Sequence, residues 1–241
     1  MKNIKVVIPA AGFGKRMGAL TNSTNKALMK IGKESVIVHS IKNFKTLGLS
    51  DITVVVGYKG NQVIKEIGSL ANCIYNPFFR VSGILVSLWM AKKFLKGKKF
   101  IFSTSDHFFH RDVLKALLKQ PEELKVLVQK KRSYLKEDAK VKIRNLRIIQ
   151  MSKQIPREQA NGEFAGMAYF SASASRYFFA ELEKFFKNGR LEDYVMDVIM
   201  EISKKRKIPI NYTICNENQR IEIDSVGDLV KARKLESSFK N

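Results

Sequence analysis

Lys5-Val6-Val7-Ile8-Pro9-Ala10-Ala11-Gly12-Phe13-Gly14-Lys15-Arg16-Met17-Gly18 opens the chain after four residues, and the fold class turns on it. The Val-Val-Ile run has strand length and passes directly into a glycine loop, which predicts a buried strand over 5–10 and then a phosphate-sized turn. Backbone N–H groups in such a turn can face inward and cradle phosphate oxygens, with Lys15 and Arg16 adding charge. Ala10, Ala11, Gly12, Gly14 and Lys15 are therefore the candidate nucleotide-binding residues. The loop is not a dinucleotide fingerprint, which needs glycine where Met17 stands. It is not a P-loop either, since Gly-Lys-Ser and Gly-Lys-Thr never occur in the chain. A sharp structural turn would use the same glycines for the same backbone reason, so the loop alone leaves both readings open.

Outward from the loop, strands and helices alternate. Apolar positions Val36, Ile37, Ile41, Phe44 and Leu47 fall at helical spacing over 35–47, and Gly48 supplies the stop. A strand follows at 51–57, a helix at 60–70, a short strand at 73–75, a helix at 84–95 and a strand at 99–103 that runs into Thr104-Ser105-Asp106-His107. This order predicts an α/β, Rossmann-like fold, a mostly parallel central sheet with helices on both faces. Ligands in such sheets bind beyond the carboxyl ends of the strands, where both the glycine loop and Asp106 fall. Further on, a helix near 112–119 precedes paired strands at 124–129, 139–143 and 147–151, and helices are expected at 175–186 and 192–204. A last strand at 221–223 leads through Asp224 into a helix from Val226. No linker or repeat divides the chain, so residues 1–241 are expected to form one domain.

The 241 residues carry 44 Lys and Arg against 22 Asp and Glu, a formal net charge of +22, so the surface attracts anions. Nucleic acid, anionic lipid and nucleoside triphosphate all qualify, but the basic residues lie in short clusters such as Lys204-Lys205-Arg206-Lys207, as on a solvated surface. No helix-turn-helix, RNA-binding aromatic pair or finger supports a basic nucleic-acid-binding protein, the alternative from another class. No apolar run approaches the roughly 20 residues of a membrane span, and the start of the chain does not read as a secretory signal. A cytoplasmic protein without membrane insertion is expected. Cys73 and Cys215 form no CxxC and have no partner at finger spacing, so neither a disulfide framework nor structural zinc is suggested.

Two aspartates end strands. Asp106 would face a ligand lying across the sheet edge, and Asp224 stands before Val226, where it could equally cap the final helix. Two carboxylates converging on a triphosphate are what Mg2+ retaining several waters would use. Asp106-His107-x-x-His110 invites zinc, but no fourth ligand stands at a recognisable spacing and hard oxygen ligands suit magnesium better.

Residues 8–17, followed by Asn25-Lys26-Ala27-Leu28 and Ile31-Gly32, resemble the opening of the sugar-phosphate nucleotidyltransferase superfamily, in which a glycine-rich loop ends in Arg and a Pro-Lys pair follows. The resemblance implies that Arg16 contacts the triphosphate, that Lys26 neutralises charge moving onto the leaving pyrophosphate, and that Asp106 and Asp224 hold the metal. Asn25 stands where the family usually has Pro. Asn76-Pro77-Phe78-Phe79, Ser87-Leu88-Trp89-Met90-Ala91, Gly162-Glu163-Phe164-Ala165-Gly166-Met167 and Glu222-Ile223-Asp224-Ser225 resemble the choline-phosphate and inositol-1-phosphate cytidylyltransferase branch. That branch commonly has Asn-Asn where this chain has Ser82-Gly83. Glu163 resembles the position that contacts the acceptor or its ribose-side neighbour, a strand-end turn being the other reading. Lys140 is a candidate for an acceptor phosphate, or else an outward strand lysine. Phe108, Phe109, Trp89, Tyr169 and Tyr194 could wall a trimethylammonium group, although aromatics at such spacings are more often core.

A cytidylyltransferase is implied, moving a cytidylyl group from CTP onto a small phosphorylated alcohol of the phosphocholine or inositol 1-phosphate class. A hexose-1-phosphate nucleotidyltransferase is the rival within the superfamily. Methylerythritol-phosphate cytidylyltransferases open similarly, but their downstream aspartate-rich motifs are missing. The expected partners are the nucleoside triphosphate and the phosphorylated alcohol, with no nucleic acid and with a homodimer left open.

Overall fold

The computed structural model describes residues 3–14, 17–18, 23–120 and 122–239, the side chain of Ser238 excepted. Lys15 and Arg16 therefore lie outside the described residues. In chain order the elements begin with β1 (Ile4–Ala10), the hairpin of β2 (Lys30–Ile31) and β3 (Glu34–Ser35), α1 (Val36–Thr46), β4 (Ile52–Val56), α2 (Gly60–Ile67) and β5 (Asn72–Tyr75). Then come α3 (Ile84–Met90), α4 (Lys92–Leu95), β6 (Lys99–Ser103), β7 (His107–Phe109), α5 (Arg111–Leu118) and β8 (Leu124–Gln129). The remainder is β9 (Lys140–Arg144), β10 (Arg147–Ser152), β11 (Gly162–Phe170), α6 (Ala172–Lys187), α7 (Val195–Arg206), β12 (Asn211–Cys215), β13 (Arg220–Glu222) and α8 (Val226–Phe239).

Strands β6, β1, β4 and β5 pair in that order and all run parallel. Successive residues of β1 point to opposite faces, so Val7 joins one apolar core with α3, α6 and α7 while Val6 and Ile8 join another with α1, α2 and α5. Burial on both faces is why the strand reads as an unbroken apolar run. Ser35 caps α1 by accepting from Val38 N–H, and Gly48 follows it at φ +75. The helix expected over 84–95 is interrupted at Ala91 and continues as α4, and α7 starts at Val195, later than its spacing predicts.

The other half of the sheet is organised by β11, a strand that residues 162–170 do not announce because two glycines break the alternation. One of its edges pairs antiparallel with β8; the other pairs with β6 through Met167–Phe170 and with β9 through Gly162 and Glu163. β12, which the sequence reading also lacks, adds parallel to β8. The irregularity between Phe164 and Ala168 centres on Gly166, at φ +63. A Cβ there would overlap the His107 ring and lie 2.9 Å from Thr104 Oγ1, so only glycine lets β11 pass so close to the end of β6.

A two-stranded ribbon of β7 and β13 pairs Glu222 with His107, and Ile223 N–H donates to the Asp106 carbonyl at 3.0 Å. This ribbon carries Asp106 and Asp224, 118 positions apart in the chain, to one place. α8 then packs over the β2–β3 hairpin through a third apolar cluster that includes Met17, Met29, Phe108 and Leu229. Among the described residues no helix is long and apolar enough to cross a membrane.

Candidate active site

Asn25 prepares the approach to the centre. Its side chain is 2% exposed; Nδ2 donates to the carbonyls of Ala10 at 3.0 Å and Tyr58 at 2.8 Å, and Oδ1 accepts from Ala27 N–H at 2.9 Å. It thereby caps a short 3-10 turn, Lys26–Leu28, and ties that turn to the end of β1. Three hydrogen bonds restrain the segment where the family's usual proline would restrain it by its ring.

From this turn Lys26 extends its ammonium between two carboxylates, donating to Asp106 Oδ2 at 2.8 Å and to Asp224 Oδ1. Burial pulls the Lys26 ammonium down in pKa, but the paired charges of Asp106 and Asp224 outweigh it and the net shift is upward. Burial pushes Asp106 up, and the Lys26 charge carries it below the ordinary carboxylate range. Asp224 goes the other way: burial and the nearby Glu222 charge raise it in spite of Lys26. The second Asp106 oxygen, Oδ1, is buried with no hydrogen-bond partner. An orphaned carboxylate oxygen beside a second carboxylate is a donor set that fits a hard divalent cation.

Two clefts meet at this point, sharing Ile84, Thr104 and Asp106. The smaller, about 370 Å³, is lined by Ala10, Ala11, Gly12 and Gly14 together with Lys26, Asn76 and Ser82-Gly83. Gly83 is held there by packing: its N–H donates to Leu191 O at 3.2 Å, and a Cβ would stand 3.1 Å from both that oxygen and Glu192 Cα. The usual second Asn of the family would not fit without moving the 191–192 backbone. Asn76 is wholly buried and donates to Ser87 Oγ at 3.1 Å, closing the cleft's inner wall.

The larger cleft, about 1230 Å³, lies between β8, β11, β13 and the start of α8. Glu163, the expected acceptor contact, lines it and is ion-paired with Lys131. Burial raises the Glu163 carboxyl, with Arg220 and Lys131 opposing.

Lys140 departs from expectation. It is 1% exposed and its ammonium donates to the carbonyls of Leu135, Lys136 and Asp138 at 3.3, 2.9 and 3.2 Å, so its three donors staple the preceding loop and none is left for a phosphate. The aromatic wall is also corrected. Phe108, Phe109 and Tyr169 are core residues, and Trp89 packs on Phe186. Only Tyr194 of the five lines the cleft, and Lys153 Nζ sits 4.0 Å from its ring centroid.

His110 is spent as the cap of α5, accepting from Asp112 N–H. His107 lies near Asp106 and Glu222 in a group with metal-ligand spacing. Arg220 Nη2 approaches His107 Nε2 to 2.5 Å and donates to Glu222 Oε2 at 2.9 Å, so a guanidinium already occupies the space between those ligands.

Lys131, Arg220 and the structural part played by Asn25 escape sequence reading. Each has a partner far along the chain, Glu163 for Lys131, Gln129 and His107 for Arg220, and Tyr58 for Asn25, and no local pattern marks those pairings.

A glycine loop at the carboxyl end of a parallel sheet, with a lysine clamped between strand-end aspartates, defines a nucleotidyltransferase. Residues 6–176 match the MobA-like NTP transferase domain, and the chain belongs to that family. It is 24% identical to the choline-phosphate cytidylyltransferase of Streptococcus pneumoniae, over 99% of each chain. It is 25% identical to the CTP:phosphoglutamine cytidylyltransferase of Campylobacter jejuni, over 94% of this chain and 98% of that one. Its fold superposes on that of the inositol-1-phosphate CTP transferase from T. maritima with a TM-score of 0.80 at 20% identity, covering 100% of this chain and 98% of that one.

Proposed function

We propose that the chain transfers a cytidylyl group from CTP to a small phosphorylated alcohol and releases pyrophosphate, with Mg2+ as cofactor. The observation that carries this reading is the Lys26 ammonium held between Asp106 and Asp224 where the two clefts join. The glycine-loop cleft takes the triphosphate, and the larger cleft takes the acceptor.

A phosphomonoester has a second pKa of about 6, so near neutrality the acceptor is already a dianion and no general base is needed. Catalysis is then alignment and charge neutralisation. An acceptor phosphate oxygen bonds to the α-phosphorus of CTP while the bond from that phosphorus to the α,β-bridging oxygen breaks, and pyrophosphate leaves with the electron pair. Backbone N–H groups of the glycine loop and the Lys26 ammonium stabilise the charge that builds on the departing phosphates; Arg16 has the same assignment by resemblance to the family. Asp106 and Asp224 would hold Mg2+, which supplies further neutralisation of the phosphate oxygens when bound. CTP is favoured over other triphosphates by the full-length likeness to two cytidylyltransferases.

Pyrophosphate release over a matrix of nucleoside triphosphates and phosphorylated alcohols tests the reading. Release is expected with CTP and one alcohol phosphate, abolished by EDTA and restored by Mg2+. Full activity in excess EDTA rules out the metal assignment, and preference for a hexose 1-phosphate with UTP or dTTP rules out the cytidylyl assignment.

A further inference from the structure

Short runs of lysine and arginine that read as scattered along the sequence are gathered by the fold. Segments 92–99 and 204–207 hold nine basic residues and no acidic one, and the two flank α6. Ser175 Oγ donates to Leu95 O at 2.7 Å and accepts from Gly97 N–H at 3.2 Å, which ties the end of α4 to α6. Arg176 Nε stands 3.4 Å from where a Cβ on Gly97 would be. Lys92 pairs with Glu183, and that hydrogen bond, with the charges of Lys96 and Lys187 nearby, holds the Glu183 carboxyl below its ordinary range. On the other flank Lys205 pairs with Glu181 at 2.6 Å, and the Arg206 guanidinium lies 4.8 Å from the Tyr177 ring centroid.

Much of this charge is not neutralised. Lys93, Lys98, Lys99, Arg176 and Lys207 are exposed and form no ion pair among the described residues, whereas elsewhere surface lysines such as Lys30, Lys42 and Lys115 have a carboxylate partner. Phe94 stands in the first segment with 47% of its surface exposed, and Trp89, Tyr177 and Phe186 on the neighbouring helices are half-buried. The patch lies at the end of the sheet remote from the clefts: Lys99 starts β6, which ends just before Asp106, and α6 follows β11 where Phe170 pairs with Phe100.

Basic charge around an exposed aromatic ring suits a surface that rests on an anionic bilayer, with lysine and arginine meeting the headgroups while the ring enters the interface. Single-stranded nucleic acid would need free ring faces for its bases. Here Lys92 Nζ already sits 3.9 Å from the Trp89 ring centroid, and Arg206 covers Tyr177. We propose that the face formed by α4, α6 and the end of α7 docks the protein peripherally on a bilayer rich in anionic lipid. The clefts then stay open to solvent at the opposite end of the sheet.

Co-sedimentation of the full chain with phosphatidylcholine vesicles, with and without phosphatidylglycerol, tests this at about 0.15 M salt. Binding is expected only with phosphatidylglycerol, and it should weaken as salt rises. One basic residue near an anionic surface is worth about fivefold in partitioning, so K98Q/R206Q should bind on the order of twentyfold more weakly. K33Q/K65Q, which removes the same charge from the β2–β3 turn and from α2, should lose less than about threefold. Phe94→Ala, at unchanged charge, should weaken binding several-fold. Thermal melts report whether the variants fold; should a charge variant fail to, the lipid dependence and Phe94→Ala decide. Absence of binding to phosphatidylglycerol vesicles overturns the inference, as do equal losses in the two charge variants. Retention on DNA at the same salt, weakened by K98Q/R206Q while Phe94→Ala binds vesicles as the wild type does, assigns the face to nucleic acid and overturns it too.

Discussion

Along the smaller cleft, among the described residues, only Lys26 and Asp106 are charged, whereas the larger cleft carries fourteen charged side chains. The first is walled largely by backbone and small residues at the end of a parallel sheet. The second is walled by long side chains from antiparallel strands that fork around β11. A triphosphate can be gripped by N–H groups, which every residue but proline supplies, so the nucleotide side needs only a turn of the right shape. On the proposed assignment of the larger cleft, the acceptor has no such generic handle. Its cleft is specified by side chains, and each of those has to be held by others.

The largest expected effect lies where the two regions join. Lys26→Ala should lower turnover on the order of a hundredfold while the fold persists, because a preorganised charge opposite the leaving group is lost. Pyrophosphate release with a parallel thermal melt measures both. If the KM for CTP rises and turnover holds, Lys26 belongs to nucleotide binding alone, and the junction is not where the chemistry is stabilised.

Glycine substitutions on the two sides probe the difference in construction. Gly166→Ala forces a side chain into the His107 ring at a positive φ, and should cost about 1–3 kcal/mol in a urea titration. Gly12 has nothing within 4 Å of its would-be Cβ and no positive φ, so Gly12→Ala should change stability by less than about 1 kcal/mol. Equal costs would mean that the larger cleft is no more tightly interlocked than the glycine loop.

A smaller effect than that of Gly166→Ala is expected at the device that replaces proline. Asn25→Ala leaves the Ala10 and Tyr58 carbonyls without that donor and should cost about 1–2 kcal/mol, with reduced turnover. Asn25 sits at φ −77, inside the range that a proline ring imposes. Asn25→Pro should therefore recover more turnover than Asn25→Ala, though not the lost hydrogen bonds. If the two variants have the same turnover, restraint of the Lys26 turn is not what Asn25 contributes to catalysis.

Which parts of the molecule were legible follows the same divide. Strands β1, β4 and β6 announce themselves as apolar runs because both their faces are buried, and the glycine loop and the Asp106 strand end follow from their order. β11 was hidden: Gly162 and Gly166 are there for close passage of neighbouring chain, and their presence erases the alternation by which a strand is recognised. Lys140, Phe108, Phe109 and Tyr169 carried the right chemistry for an acceptor site and yet serve the interior, since residue type does not reveal which face of a strand looks outward.

The sequence by itself determined the fold class and the glycine loop, which rest on local periodicity, and the resemblance to the sugar-phosphate nucleotidyltransferases singled out the candidate trio of Lys26, Asp106 and Asp224. Only the tertiary structure decided that the trio converges, that Asn25 ties down the turn where the family usually has proline, and that Arg220 pairs with Glu222 and Lys131 with Glu163 in the larger cleft. The physical reason is range. Periodicity is written between neighbours in the chain, whereas the pairing of a buried charge is settled by whichever strand the sheet lays beside it.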